Sequence, residues 1–175
     1  MDINFENDRN PISETCKLLA SLFMAEPDMS LIESFTESFP AEIQASPEEI
    51  NDDFTSLFYG APAILLPYES AYVHLAGTSV AAGIIPESLY SFYLKEGLIL
   101  DSSLGMRPDH ISAELLFISY LEEAERENSL QEFLGIHAII WIPAFCDDLY
   151  EAAYTDFYKE VGSITKDLIM SEYEQ

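Results

Sequence analysis

Apolar residues recur at steps of three and four along most of this chain, the spacing of an amphipathic helix and not of a strand. After Pro11, the stretch ISETCKLLASLFMAE places Ile12, Cys16, Leu19 and Phe23 on one face. DMSLIESFTESF does the same with Leu31, Phe35 and Phe39, with Ile32 beside them. Ser46-Pro47-Glu48-Glu49 reads as a helix start: an N-cap serine, a proline in the first turn and the acid of a capping box. That third helix carries Ile50, Phe54, Leu57 and Phe58 to a stop at Gly60.

The pattern changes between Gly60 and Gly83. Pro62, Pro67, Gly77 and Gly83 punctuate a stretch filled with small residues, which predicts a long connection with a short helical turn at its centre. Ile64, Leu65, Leu66, Tyr68 and Tyr72 argue against disorder there, and 63–66 is the one β-like piece. Helical spacing returns at Pro86, with Leu89, Tyr90, Tyr93 and Leu94 as the apolar side and Gly97 as the C-terminal stop. Pro108 opens a helix with the core stripe Ile111, Leu115, Ile118 and Leu121. Ser129 and Glu132 suggest a capping box for the next helix, which runs through His137 towards Trp141. Pro143 is expected to break, kink or restart it. A last amphipathic stretch runs from about Phe145 to Tyr173. The reading is an all-α fold: a single helical domain over 1–175, of six to eight helices.

Composition adds a sign to this picture. There are 32 acidic residues against 7 basic ones, a net charge of -25. Such a surface repels nucleic acid and anionic lipid and attracts cationic partners such as Arg- or Lys-rich peptides. The plain alternative is that acidity serves solubility. Aromatics at 13% of the chain exclude a disordered acidic tail. Cys16 and Cys146 are read as buried free thiols of a reducing compartment. The start MDINFENDRN has neither the basic region nor the apolar core of a leader, and no apolar run approaches the roughly 20 residues of a membrane span. These features predict a soluble cytoplasmic protein with no membrane insertion and no nucleic acid partner.

The chemistry is sparse. His74, His110 and His137 stand on different segments, not clustered as metal ligands. There is no Gly-rich phosphate loop, no nucleophile elbow and no cysteine with an obvious base. Asp109 and His110 sit where a helix begins, and Glu114 shares a face with His110. Asp109 fits a helix cap. His110, Glu114 and Phe117 run beside the core stripe, where the rim of a groove would lie. A half-buried histidine bonded to Glu114 or to a backbone carbonyl is the plain alternative. A metal-dependent hydrolase using Asp109, His110, Glu114 and His137, and an acidic mimic of nucleic acid, are the other readings.

Five segments in order carry a resemblance: LFYG (57–60), LPYESAY (66–72), FYLKEGL (92–98), PDHISAELLF (108–117) and HAIIWIPAF (137–145). The chain resembles the TorD/DmsD/NarJ family of redox-enzyme maturation chaperones, with Leu57, Phe58, Gly60, Gly97, Pro108, Phe117, His137, Trp141, Pro143 and Phe145 as motif positions. The resemblance implies an all-helical, cytoplasmic, non-enzymatic chaperone, monomeric or homodimeric, with no cofactor of its own. Its partner would be the twin-arginine signal peptide or N-terminal region of a molybdopterin oxidoreductase catalytic subunit, held until the cofactor is inserted. The resemblance places the peptide site at Tyr68, Ser70, Asp109 and His110. Carboxylates suit arginine by their bidentate geometry, which adds Glu69 and Glu114. The chain departs from the pattern at Tyr68, where tryptophan is common, and at Glu69, where glycine is common. Met106 and Arg107 stand where some members carry an acid, so Arg107 is a positive charge where a positive guest is expected.

Overall fold

The computed structural model describes residues 10–73, 83–99 and 105–175. His74 and Gly77 lie outside these. The helices begin where capping chemistry puts them. Asn10 accepts the N–H groups of Ile12 and Ser13 at the start of α1 (Pro11–Met24), and Asp28 accepts that of Leu31 at α2 (Met29–Ser38). Ser46 and Glu49 form the predicted capping box of α3 (Pro47–Phe54). α3 runs on through a π-helical turn, Thr55–Tyr59, to Gly60. A Cβ on Gly60 would lie 3.1 Å from the Pro62 carbonyl oxygen and 3.3 Å from that of Ser56, so a side chain there would crowd the tight return of the chain. The short helical turn expected inside the long connection is α4 (Glu69–Tyr72).

α5 (Glu87–Lys95) ends at Gly97, whose φ of 77° is the left-handed stop anticipated there. Its buried face is Leu89, Phe92 and Tyr93, while Tyr90 and Leu94 are exposed. The expected face is thus rotated, because Phe92 packs edge-on against Phe133 and His137. α6 (Ile111–Glu123) buries all four predicted core residues. Each such aliphatic contributes about 1.5–3 kcal/mol of burial. α7 (Glu127–Phe133) starts two residues before the expected cap, since Ser129 bonds Glu96 instead, at 2.6 Å.

A π-helical turn (Leu134–Ala138) joins α7 to α8 (Ile139–Ala152). Pro143 lies inside α8 and does not end it. The joined rod, Glu127–Ala152, is long and apolar enough to cross a membrane by length and composition, which the sequence expectation missed. In the fold it is a core rod: Trp141, Ile142, Phe145, Cys146 and Leu149 are buried, and α8 packs along α9 (Asp156–Tyr173). The amphipathic stretch expected from about Phe145 to Tyr173 is thus divided between the end of α8 and α9. Thr155 caps α9, and the buried Asp53 carboxylate accepts the Thr155 N–H (2.9 Å) and its hydroxyl.

Counting α3 and α7–α8 with their π turns as single rods, the described residues form eight helical rods and no strand. Two pairs organise them: α1 on α6, and α8 on α9. Small polar residues let the first pair approach closely. Ser112 donates to the Ala20 carbonyl and Ser119 bonds Ser13, each at 2.8 Å. Phe23 meets Phe145, and the Tyr158 hydroxyl donates to Leu22, so both pairs share one core. Cys16 and Cys146 are buried free thiols, and burial lifts the Cys16 thiol to about 12.

Candidate functional site

Two of the five segments meet through the backbone. Pro67 and Tyr68 run extended beside His110, the residue entering α6. The Ile111 N–H donates to the Pro67 carbonyl and the Glu69 N–H to that of Asp109, both at 2.9 Å. Tyr68 and His110 oppose one another in an isolated antiparallel bridge, so the extended piece lies just beyond the expected 63–66. Their rings meet edge-on, 5.2 Å between centroids.

The helix cap is His110 and not Asp109. His110 Nδ1 accepts the Ser112 N–H at 3.1 Å, which requires that nitrogen to be unprotonated. Burial holds the imidazole down to about 4, and Arg107 adds to that while Asp109 opposes it. Asp109, one residue too early to cap, turns to the other segment. It accepts the Ser70 N–H at 3.3 Å and receives Arg107 in a two-pronged pair, Nε at 2.9 Å and a terminal nitrogen at 3.0 Å. That terminal nitrogen also donates to the Ser70 hydroxyl (3.0 Å) and towards the Gly83 carbonyl (3.4 Å). The guanidinium lies 4.8 Å from the centre of the Tyr68 ring.

A second polar layer lies below. His137 and Trp141, four apart, face the same way from the rod. His137 Nδ1 is 2.8 Å from a Glu69 oxygen, and the Trp141 indole donates to Glu114 at 3.0 Å. The HAIIWIPAF segment thus holds one carboxylate from each of the two site segments. The Tyr72 ring packs on Trp141 and Phe145, and the Tyr93 hydroxyl donates to the Pro108 carbonyl. Phe117 fits edge-on between Tyr93 and Phe133, and Phe58 reaches Phe145. Burial, with the Glu69 charge nearby, raises the Glu114 carboxyl well above its ordinary value. One oxygen each of Glu69 and Glu114, and Nε2 of His137, find no partner among the described residues.

These placements divide the expected site. Glu69, Ser70, Asp109 and Glu114 are sealed from solvent, as is Phe117, so the stripe expected at a groove rim lies inside the protein. α6 is covered on both flanks, which its own periodicity does not reveal. Tyr68, Arg107 and His110 are half-buried and form the accessible surface. Tyr59, Ile64, Leu66, Ile84 and Tyr90 stand exposed on neighbouring segments. Tyr59 bears electrostatically on Tyr68, and Tyr90 on Arg107. Asp109, His110, Glu114 and His137 do not form the hydrolase cluster weighed from the sequence. Each is bonded elsewhere, and no group among the described residues is placed to hold a metal ion. Sequence reasoning gave Tyr93 no part at the site; it had no signal beyond helical spacing.

The fold is all-helical, and its candidate polar groups are bonded in place and do not converge among the described residues. The chain belongs to the nitrate reductase delta subunit family, whose model matches residues 16–147, a family of redox-enzyme maturation chaperones and not of enzymes. It is 25% identical to the chaperone protein YcdY of Escherichia coli strain K12, over 95% of this chain and 96% of that one. It is 23% identical to the Tat proofreading chaperone DmsD of Salmonella typhi, over 90% and 87%. In fold it matches the crystal structure of a protein assigned to redox enzyme maturation from Archaeoglobus fulgidus, with a TM-score of 0.61 at 22% identity, covering 97% of this chain and 99% of that one.

Proposed function

We propose that this protein is a cytoplasmic chaperone for one redox enzyme. In this reading it binds the twin-arginine signal peptide or N-terminal region of a molybdopterin oxidoreductase subunit before export or assembly. The observation that carries the reading is the bridge between Tyr68 and His110, which joins the two segments that the family resemblance assigns to peptide binding. The buried Asp109 carboxylate holds a guanidinium over the half-exposed Tyr68 ring there, and apolar side chains stand exposed on neighbouring segments. A twin-arginine signal offers guanidinium groups followed by an apolar segment, and both halves find matching chemistry. The net charge of -25 favours a cationic guest at long range. Glu69 and Glu114 act from behind, fixing the two segments through His137 and Trp141.

Calorimetry with a synthetic twin-arginine signal peptide tests this. Binding is expected in the micromolar range, weaker by about tenfold when Tyr68 is replaced by alanine, and weaker when the peptide arginines are replaced. Failure to bind signal peptides of several molybdoenzymes, or binding indifferent to the peptide arginines, overturns the proposal.

A further inference from the structure

Arg107 occupies the place a guest arginine would need. It is one of only three arginines in the chain, and its guanidinium takes both prongs of Asp109, reaches the Ser70 hydroxyl and lies over Tyr68. These are the contacts a guest guanidinium would make. The pair is lopsided. The Asp109 side chain is 0% exposed, whereas that of Arg107 is 41% exposed. Arg107 can therefore swing into water at little cost, but Asp109 cannot be left alone, because a buried unpaired carboxylate is strongly unfavourable.

We propose that Arg107 is an internal stand-in for the guest, released only in exchange for another guanidinium. The inference rests on the peptide-binding reading and adds a selectivity rule to it. A neutral guest strands Asp109 and is refused. A lysine offers a point charge without the planar fork, so it exchanges poorly. An arginine restores every bond that Arg107 gives up. Because Arg107 is two residues from Asp109, it competes at high effective concentration, so the apparent affinity falls by the fraction of time the site is open. Its tie to Gly83 also couples release to the chain that follows the long connection.

The test uses Arg107→Gln and the more conservative Arg107→Lys. In Arg107→Gln, millimolar methylguanidinium is expected to raise Tm well beyond its effect on the wild-type protein, with methylammonium giving little. The same variant should bind a twin-arginine peptide about tenfold more tightly than wild type. Arg107→Lys should fall between. On the wild-type protein labelled with nitrogen-15, the Arg107 Nε–H resonance should move to the position of a solvated arginine when peptide binds. Absence of selective rescue by methylguanidinium, equal peptide affinity in wild type and variant, or an Arg107 signal unmoved by bound peptide overturns the inference. Selective rescue without peptide binding in either protein would instead uphold the exchange site and remove the peptide-binding proposal.

Discussion

Asp109 and Glu114 stand five residues apart at the start of α6, both sealed from solvent, and the protein keeps them there by different means. Asp109 is matched by a charge: the Arg107 fork, with a backbone N–H from Ser70. Glu114 is paired with no cation among the described residues, and burial favours its neutral form. Burial and the neighbouring Glu69 push its carboxyl up, and the Trp141 indole N–H bonds one oxygen while the other finds no partner among the described residues. The first solution is exchangeable, because a guanidinium can come from elsewhere. The second is fixed, because it depends on a core tryptophan. A half-exposed pair and the buried layer behind it thus use the same side-chain chemistry with opposite electrostatic outcomes.

The largest effect is expected at Asp109. Replacing it with alanine frees Arg107 and the Ser70 N–H and separates the two segments. The expected loss is about 3 kcal/mol in urea unfolding, near the lower end for a broken buried pair because Arg107 can turn to water. A loss no larger than that of an ordinary surface substitution would mean that the pair is incidental. The next effect is a pH dependence from His110. Its folded-state value of about 4 lies below the ordinary 6.5, so the neutral form is favoured by folding. Stability is full above about 6.5 and falls as the pH drops towards 4, since the unfolded chain takes up the proton first. About 2 kcal/mol should be lost over that window, allowing for partial contact with water. His110→Asn, which retains a cap, should lack this component when the two proteins are compared at pH 7.5 and 4.5.

The smallest effect separates the two carboxylates most sharply. Glu114 is raised, so its contribution has the opposite sign: stability is full below the ordinary carboxylate value and declines as the pH rises, because only the unfolded chain releases the proton. Glu114→Gln keeps an acceptor for Trp141 and removes the titration. It should gain about 1 kcal/mol at pH 8 and match wild type at pH 4.5. An equal loss at both pH values would show that the carboxyl is ionised in the folded protein.

Much of the frame was legible along the chain. The capping box at Ser46, the left-handed stop at Gly97 and the core stripe of α6 follow from backbone bonding and spacing, which act over a few residues. The five ordered segments pointed to the family because order survives in one dimension. Misreadings arose where a neighbour decided. The faces of α5 and of Glu114 and Phe117 were turned inward by Phe133, Trp141 and Tyr93. The cap passed from Asp109 to His110 because Asp109 had a better use in another segment.

By itself the sequence determined that this chain folds into helices, that it carries a strongly acidic surface, and that Pro108-Asp109-His110 begins a helix. Only the tertiary structure decided which acids face water. Local spacing fixes a side chain's direction on its own helix, but exposure depends on what covers that direction. Here the cover comes from residues dozens of positions away: Glu69 reaches His137, Ser112 reaches Ala20, and Arg107 reaches Ser70. Arg107 is the clearest instance. Along the chain it was a positive charge where a positive guest was expected; folded, its guanidinium pairs with Asp109 and lies over Tyr68.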